Sequence, residues 1–194
     1  VADQLQENKN QLGDLGGGNH FLDALEPYEG EQLHFLVHTG SRNESGLVDE
    51  FVDHPDRFDQ EFARVVAWAR ANREAVQTAI EGVFGKLELV LDLPHNTYET
   101  LGDGGVVIRK GAVRVRPREL NIIPSHMIGD VALVRATTRV EETLNSLSHG
   151  TGRTMPRSES KEIAAKFDFS EMRRKILIPD RISDSSLRTD GPYA

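Results

Sequence analysis

Cysteine is absent from these 194 residues. That excludes a disulfide framework, a cysteine-ligated zinc and a thiol nucleophile, and it leaves His, Asp, Glu and Asn to hold any metal ion. Long apolar runs are absent too. Nothing approaches the roughly 18 residues that a membrane-spanning helix requires, and no basic stretch followed by an apolar one stands at the N-terminus. The chain therefore reads as soluble and cytoplasmic. Internal repeats and low-complexity segments are also missing. What is there is a chain of 38% hydrophobic and 28% charged residues. Its length suits a sizeable core, since domains usually run to roughly 100–200 residues. A start at Val1 and an end at Pro192-Tyr193-Ala194 without a closing element suggest a piece of a longer protein.

Lys and Arg number 23 against 31 Asp and Glu, a net charge of -8. The imbalance is uneven: residues 1–104 carry 7 basic and 20 acidic side chains, residues 105–194 carry 16 and 11. The basic half is where a phosphate ligand would sit, although such charges also serve simply to solvate a surface.

Leu33 to Val37 reads as a buried strand running into the polar turn His38-Thr39-Gly40-Ser41-Arg42. From about Asp56 to about Phe84, apolar residues recur at Phe58, Phe62, Val65, Val66, Ala69, Val76 and Ile80, the stripe of a long amphipathic helix that Gly85 can end. Strands are expected at Leu87–Leu93, Val106–Ile108, Ala112–Arg116, Asn121–Ile123 and Val131–Arg135, and a helix from Ser158, as N-cap, to Phe167. Beyond Pro179 the sequence is polar and reads as irregular. Strand runs and isolated helices without regular alternation indicate an α+β fold.

Four histidines stand at strand ends or in glycine-rich turns, where a rigid scaffold can aim them into a cleft. His20 follows Gly16-Gly17-Gly18-Asn19, whose glycines allow close approach of a ligand. His38 directly follows a strand, with Arg42 within reach of an anion, and His95 is set between Pro94 and Asn96. Three neutral imidazoles without cysteine suit manganese, zinc, iron or nickel. His149 differs in kind. In Ser148-His149-Gly150-Thr151-Gly152-Arg153-Thr154-Met155-Pro156-Arg157, two glycines free backbone amides for an anion and two arginines can clamp phosphates. A histidine there can be a nucleophile toward phosphorus, or can merely hydrogen-bond in a phosphate loop. Arg109-Lys110-Gly111-Ala112 adds a cationic pair at a strand end, while His34 and His54 read as structural or exposed.

Asn19-His20-Phe21, His38-Thr39-Gly40-Ser41-Arg42, His95-Asn96, Arg109-Lys110-Gly111-Ala112, Ile122-Ile123-Pro124 and His149-Gly150-Thr151-Gly152-Arg153 occur in the order found in the RtcB family of RNA-splicing ligases, which the chain resembles over residues 12–194. The resemblance implies an RtcB-like catalytic core over residues 1–194, part of a longer single catalytic domain. It also implies joining of an RNA 3′-phosphate or 2′,3′-cyclic phosphate to a 5′-hydroxyl, with GTP and manganese, in tRNA splicing or RNA repair. On that resemblance His20, His38 and His95 would be ligands to manganese, of which a complete site holds two ions. His149 would attack the α-phosphorus of GTP and carry GMP. Asn19, Asp23, Asn96, Lys110, Gly150, Gly152 and Arg153 would bind nucleotide, and Arg42, Arg153 and Arg157 the RNA phosphates.

The sequence also departs from the family. Asp23 stands where Glu is usual, and Pro156 where Ser is. The family's Asp-x-Gly-Cys-Gly-Met metal motif lies upstream of the triple glycine, and its guanine-contacting Lys in a further C-terminal segment. Neither is in this sequence. Where the family reads Pro-Gly-Ser-Met-Gly-x-x-Ser, this chain reads Pro124-Ser125-His126-Met127-Ile128-Gly129-Asp130-Val131, so His126 and Val131 replace two guanylate-pocket serines. Two other readings follow: a degenerate paralogue that binds RNA ends or a repair partner without ligating, and a metal-dependent phosphoesterase using water in place of His149.

Overall fold

A computed structural model of the chain describes residues 11–16, 20–41, 55–126, 129–152, 154–156, 159, 162–163, 166, 168–180 and 182. It is a mixed α+β structure in two compact units, Val1–Glu88 and Leu89–Ala194.

In the first unit, β1 (Phe21–Leu25) pairs antiparallel with β2 (His34–His38), Phe21 opposite His38 and Leu25 opposite His34. β1 alternates between covered and exposed side chains, as a ribbon with one face on a core requires. The 30-residue helix α1 spans Pro55–Phe84 and opens on a proline, whose missing N–H costs nothing in a first turn. It closes at Gly85, which takes φ +85° and donates its N–H to the Glu81 carbonyl, a left-handed cap that favours glycine. Val65, Trp68, Asn72, Val76 and Ile80 are its buried residues, three or four apart and thus on one side of the helix. The polar member of that row is Asn72.

The second unit consists of antiparallel ribbons. β3 (Asn96–Thr100) pairs with β4 (Val106–Lys110), and β6 (Leu120–Pro124) with β7 (Val131–Arg135), both as hairpins. β5 (Ala112–Arg114) pairs with β8 (Ser146–Ser148), which lies beyond the second hairpin and a 3₁₀ turn (Thr138–Thr143). That long-range pairing carries the segment before His149 back to the strand that follows Gly111. Val113, Val115, Ala136 and Val140 form the core beneath it, with Leu93 and Leu147 packed against them. A smaller cluster, Phe169 and Met172 with Ile176, Ile178 and Ile182, is built on α2 (Phe169–Lys175), whose first turn is capped by the Asp168 carboxylate accepting the Ser170 N–H at 2.9 Å.

One expectation needs correction. Leu87–Leu93 is not a strand: the segment joins no ladder, and Leu89 and Val90 are 62% and 60% exposed. An alternating apolar pattern makes a strand only where another backbone supplies the hydrogen bonds, and only Leu93 of this run reaches a core. The described residues beyond Pro179 are irregular, as expected, and Ile182 among them packs with Ile178 against the cluster on α2. The helix expected over Ser158–Phe167 lies largely outside the described residues. Among the described residues, no helix is long and apolar enough to cross a membrane.

Candidate active site

In the first unit the ribbon register brings two of the expected ligands together. Opposed residues in an antiparallel pair share a face, as do residues two apart on one strand, so Phe21, Asp23, Leu36 and His38 lie on the same side. The His20 and His38 rings stand 5.5 Å apart, edge to face at 80°, and the Phe21 ring lies 5.3 Å from His38. Asp23 is half-buried on that side, and burial pushes its carboxyl above the usual carboxylate range. A cation nearby would recover the charged form that burial disfavours.

The turn after β2 is tied down by Asn72, which is fully buried. Its side-chain oxygen accepts the Gly13 N–H at 2.7 Å, and its amide donates toward the Asp14 carbonyl at 3.1 Å, the Thr39 hydroxyl at 3.3 Å and the Gly40 carbonyl at 3.4 Å. The Thr39 hydroxyl in turn donates to the Leu15 carbonyl at 2.7 Å. One helix residue thus holds both the segment leading toward His20 and the residues that follow His38.

In the second unit a single glycine organises the two remaining histidines. Gly111 lies between β4 and β5; its N–H is donated to the Asn96 side-chain oxygen at 3.3 Å and its carbonyl faces His149 Nδ1 at 2.6 Å. The neighbouring Ala112 N–H is donated to the His95 carbonyl at 3.2 Å. The His95 and His149 rings stand 4.4 Å apart, tilted by 30°. A carbonyl can only accept, so the contact assigns the donor role to Nδ1, which in a neutral ring puts the lone pair on Nε2. Gly111 takes φ +68°, and a Cβ there would meet His149 Cε1 at 3.0 Å, so both conformation and space favour glycine.

The loop after His149 lies against the end of β6. Thr151 donates its N–H to the Pro124 carbonyl at 3.1 Å, and a Cβ on Gly150 would meet that oxygen at 3.3 Å. Gly152 takes φ +77° with open space around its α-carbon. Buried Asn121 donates from its amide to the Ser148 carbonyl at 3.0 Å, fixing the backbone just before His149. At the described residues of the divergent loop, the Ser125 hydroxyl donates to the Asp130 carbonyl at 2.7 Å and Gly129 donates its N–H to the His126 carbonyl at 2.8 Å. Val131 opens β7 opposite Pro124.

Lys110 is exposed at the end of β4, opposite Asn96. Its neighbour is a correction: Arg109 is not one of a ligand-facing cationic pair but is 3% exposed. It donates to the Ser146 hydroxyl, the Glu99 carboxylate and the Leu144 carbonyl at 2.9, 3.1 and 2.7 Å. Asn19, Arg42, Arg153 and Arg157 lie outside the described residues. Asn72 and Gly111 were not singled out for a role from sequence. A polar residue on the buried row of α1 was a legible signal for the first, whereas the second depends on contacts that local pattern does not carry.

Each unit therefore presents a pair of imidazoles on a hydrogen-bonded framework, the first with a half-buried carboxylate on the same side. Neutral imidazoles with a carboxylate form a donor set that fits a divalent transition metal, manganese included. An imidazole on a glycine-rich loop beside such a donor set is compatible with phosphoryl-transfer chemistry.

The model of the family described as tRNA-splicing ligase RtcB matches residues 52–184. The chain is 33% identical over 201 residues to an RNA-splicing ligase RtcB2 of Escherichia coli, covering 87% of this chain and 52% of that protein. It is 29% identical over 199 residues to the RNA-splicing ligase RtcB of Escherichia coli K12, covering 80% and 48%. The tRNA-splicing ligase RtcB of Methanocaldococcus jannaschii is 29% identical over 232 residues, covering 82% of this chain and 24% of that protein. No solved structure matches. The chain belongs to the RtcB family, and it spans about half the length of the bacterial relatives it matches.

Proposed function

We propose that this chain is the RtcB-like core of a GTP- and manganese-dependent RNA ligase that joins 3′-phosphate or 2′,3′-cyclic phosphate ends to 5′-hydroxyl ends in tRNA splicing or RNA repair. The observation that carries the reading is the His149 Nδ1 contact with the Gly111 carbonyl at 2.6 Å. It commits the Nε2 lone pair to attack on the α-phosphorus of GTP. The Nε2–P bond forms as the bond to pyrophosphate breaks, and the ring becomes cationic while Nδ1 keeps its proton. The carbonyl then accepts a charge-assisted hydrogen bond, stronger than the one it accepted from the neutral ring. A 2′,3′-cyclic end is first opened by water, which breaks the P–O2′ bond and leaves a 3′-phosphate. GMP passes from His149 to the RNA 3′-phosphate, and the 5′-hydroxyl attacks that phosphorus, losing its proton to solvent as GMP leaves and the strand is sealed.

His20, His38 and His95 are the manganese ligands in this reading, and the bound metal would supply Lewis-acid stabilisation of charge on phosphoryl oxygens. Asn19, Asp23, Asn96, Lys110, Gly150, Gly152 and Arg153 contact the nucleotide, and Arg42, Arg153 and Arg157 the RNA phosphates. A non-ligating paralogue is the second reading, and the sequence of the loop favours it, since His126 and Val131 replace the guanylate-pocket serines of the family.

The test is joining of an RNA bearing a 3′-phosphate to one bearing a 5′-hydroxyl, by this chain and by the longest reading frame that encodes it. Sealed product that requires both GTP and manganese supports the ligase. RNA binding without sealing selects the second reading, and phosphate release from RNA ends without GTP selects a phosphoesterase.

The geometry at Gly111 gives a further expectation. Gly111→Ala must adopt a left-handed conformation and displace the His149 ring. Guanylylation should fall by about a hundredfold, the usual cost of misplacing a reacting group by about 1 Å. Stability should fall by about 1 kcal/mol. Gly82→Ala, whose Cβ meets nothing within 4 Å, should leave the guanylylation rate unchanged. Single-turnover guanylylation and thermal unfolding of both variants check this.

A further inference from the structure

We infer that Asn72 is a positioning residue for the metal-binding histidines of the first unit, an inference that rests on the ligase reading for its metal. Asn72 sits in mid-helix, where asparagine has no intrinsic advantage, and it is 0% exposed among apolar neighbours on the buried row of α1. A buried amide is costly unless its hydrogen-bonding capacity is used, and here it is used at both ends. The partners are not helix neighbours. They are Gly13 and Asp14 on one side, and Thr39 and Gly40 on the other, 58 or 59 and 32 or 33 residues away in sequence.

Thr39 is the residue after His38, and it is buried with its hydroxyl donating to the Leu15 carbonyl. Gly40 lies beside the His20 ring, since a Cβ placed on it would come within 3.8 Å of His20 Nε2. Asn72 and Thr39 therefore clamp the backbone after His38 to the segment that precedes His20, and this fixes how the two rings face each other. Groups behind metal-ligating histidines are commonly worth 10–100-fold in metal affinity.

The experiment uses the whole chain as Asn72→Ala, Asn72→Asp, Thr39→Val and Thr39→Ser. Asn72→Asp keeps the acceptor for Gly13 but loses all three amide donations, and Thr39→Ser keeps the hydroxyl that Thr39→Val lacks. Circular dichroism selects the folded variants. Manganese binding is read from the signal of the free ion in electron paramagnetic resonance, and the His20 and His38 ring resonances of the metal-free protein are read by NMR. The expected result is a manganese Kd raised about 10–100-fold in Asn72→Asp and Thr39→Val, with Thr39→Ser within about twofold of wild type. The ring resonances should shift in the same two variants and stay in place in Thr39→Ser. Unchanged ring resonances and unchanged Kd in folded Asn72→Asp and Thr39→Val overturn the inference. A wild type that binds no manganese would sink the metal reading, and the ring resonances would then decide the positioning role alone. Should both Asn72 variants fail to fold, the Thr39 pair decides it in the same way.

Discussion

With His149 replaced by alanine, RNA sealing by the longest form that contains this chain is expected to fall by at least about a thousandfold, because the substitution deletes the residue proposed above as the nucleophile. Stability should barely move. The imidazole is half-buried, so the loss of its bond with the Gly111 carbonyl costs about 1 kcal/mol. Manganese binding through His20 and His38 should persist. That separation of effects matters, since a phosphoesterase that used water would keep releasing phosphate in the same variant. Sealing rates, thermal unfolding and phosphate release, measured side by side, check all three expectations.

The largest effect on stability is expected at Arg109. Its guanidinium is buried and committed to Glu99, Ser146 and the Leu144 carbonyl. Those contacts hold a turn in which Leu144 and Asn145 both have positive φ, 53° and 55°, a conformation that is costly for leucine. Arg109→Met removes the guanidinium donations to the Leu144 carbonyl and the Ser146 hydroxyl, leaving the carbonyl only the longer bond from the Ser146 hydroxyl at 3.3 Å, while Glu99 keeps its ion pair with Arg114. Roughly 2–4 kcal/mol should be lost, less than for a fully orphaned buried charge. The unfolding midpoint should drop by roughly 4–16 °C. Because β8 starts at Ser146 and ends just before His149, guanylylation should slow as well. Arg70→Ala, which removes an exposed ion pair with Glu74, is the comparison and should stay within about 0.5 kcal/mol of wild type.

The parts of this chain legible in its sequence are those set by local pattern. Gly85 as the end of the long helix, Val106–Ile108 and Val131–Arg135 as strands, and an α+β class all follow from period, turn residues and composition, and the structure has them. The segments that were missed depend on distant partners. β3 is Asn-Thr-Tyr-Glu-Thr, with no apolar alternation, and is a strand because β4 lies beside it. β8 is three residues long and exists only by pairing with β5. Leu87–Leu93 has the pattern without the partner. Asp168, the N-cap of α2, was readable in principle, since an Asp with a Glu three residues on is a helix-start signal.

The four histidines of the candidate site stood out because strand ends and glycine turns are unusual places for them. What arranges them did not stand out. The Gly111 carbonyl that sets the His149 tautomer is 38 residues away, and the Asn72 amide that reaches Gly13 is 59 away. Arg109 shows the converse, a residue whose sequence neighbours suggested a ligand and whose surroundings make it structural.

The central claim is a covalent histidine–GMP intermediate, and the most direct measurement is incubation with GTP labelled at the α-phosphate in the presence of manganese. The account predicts label on the protein that acid releases and alkali does not, present in this chain or the longest form containing it and absent from His149→Ala. A folded, manganese-bound protein that takes up no label would contradict it.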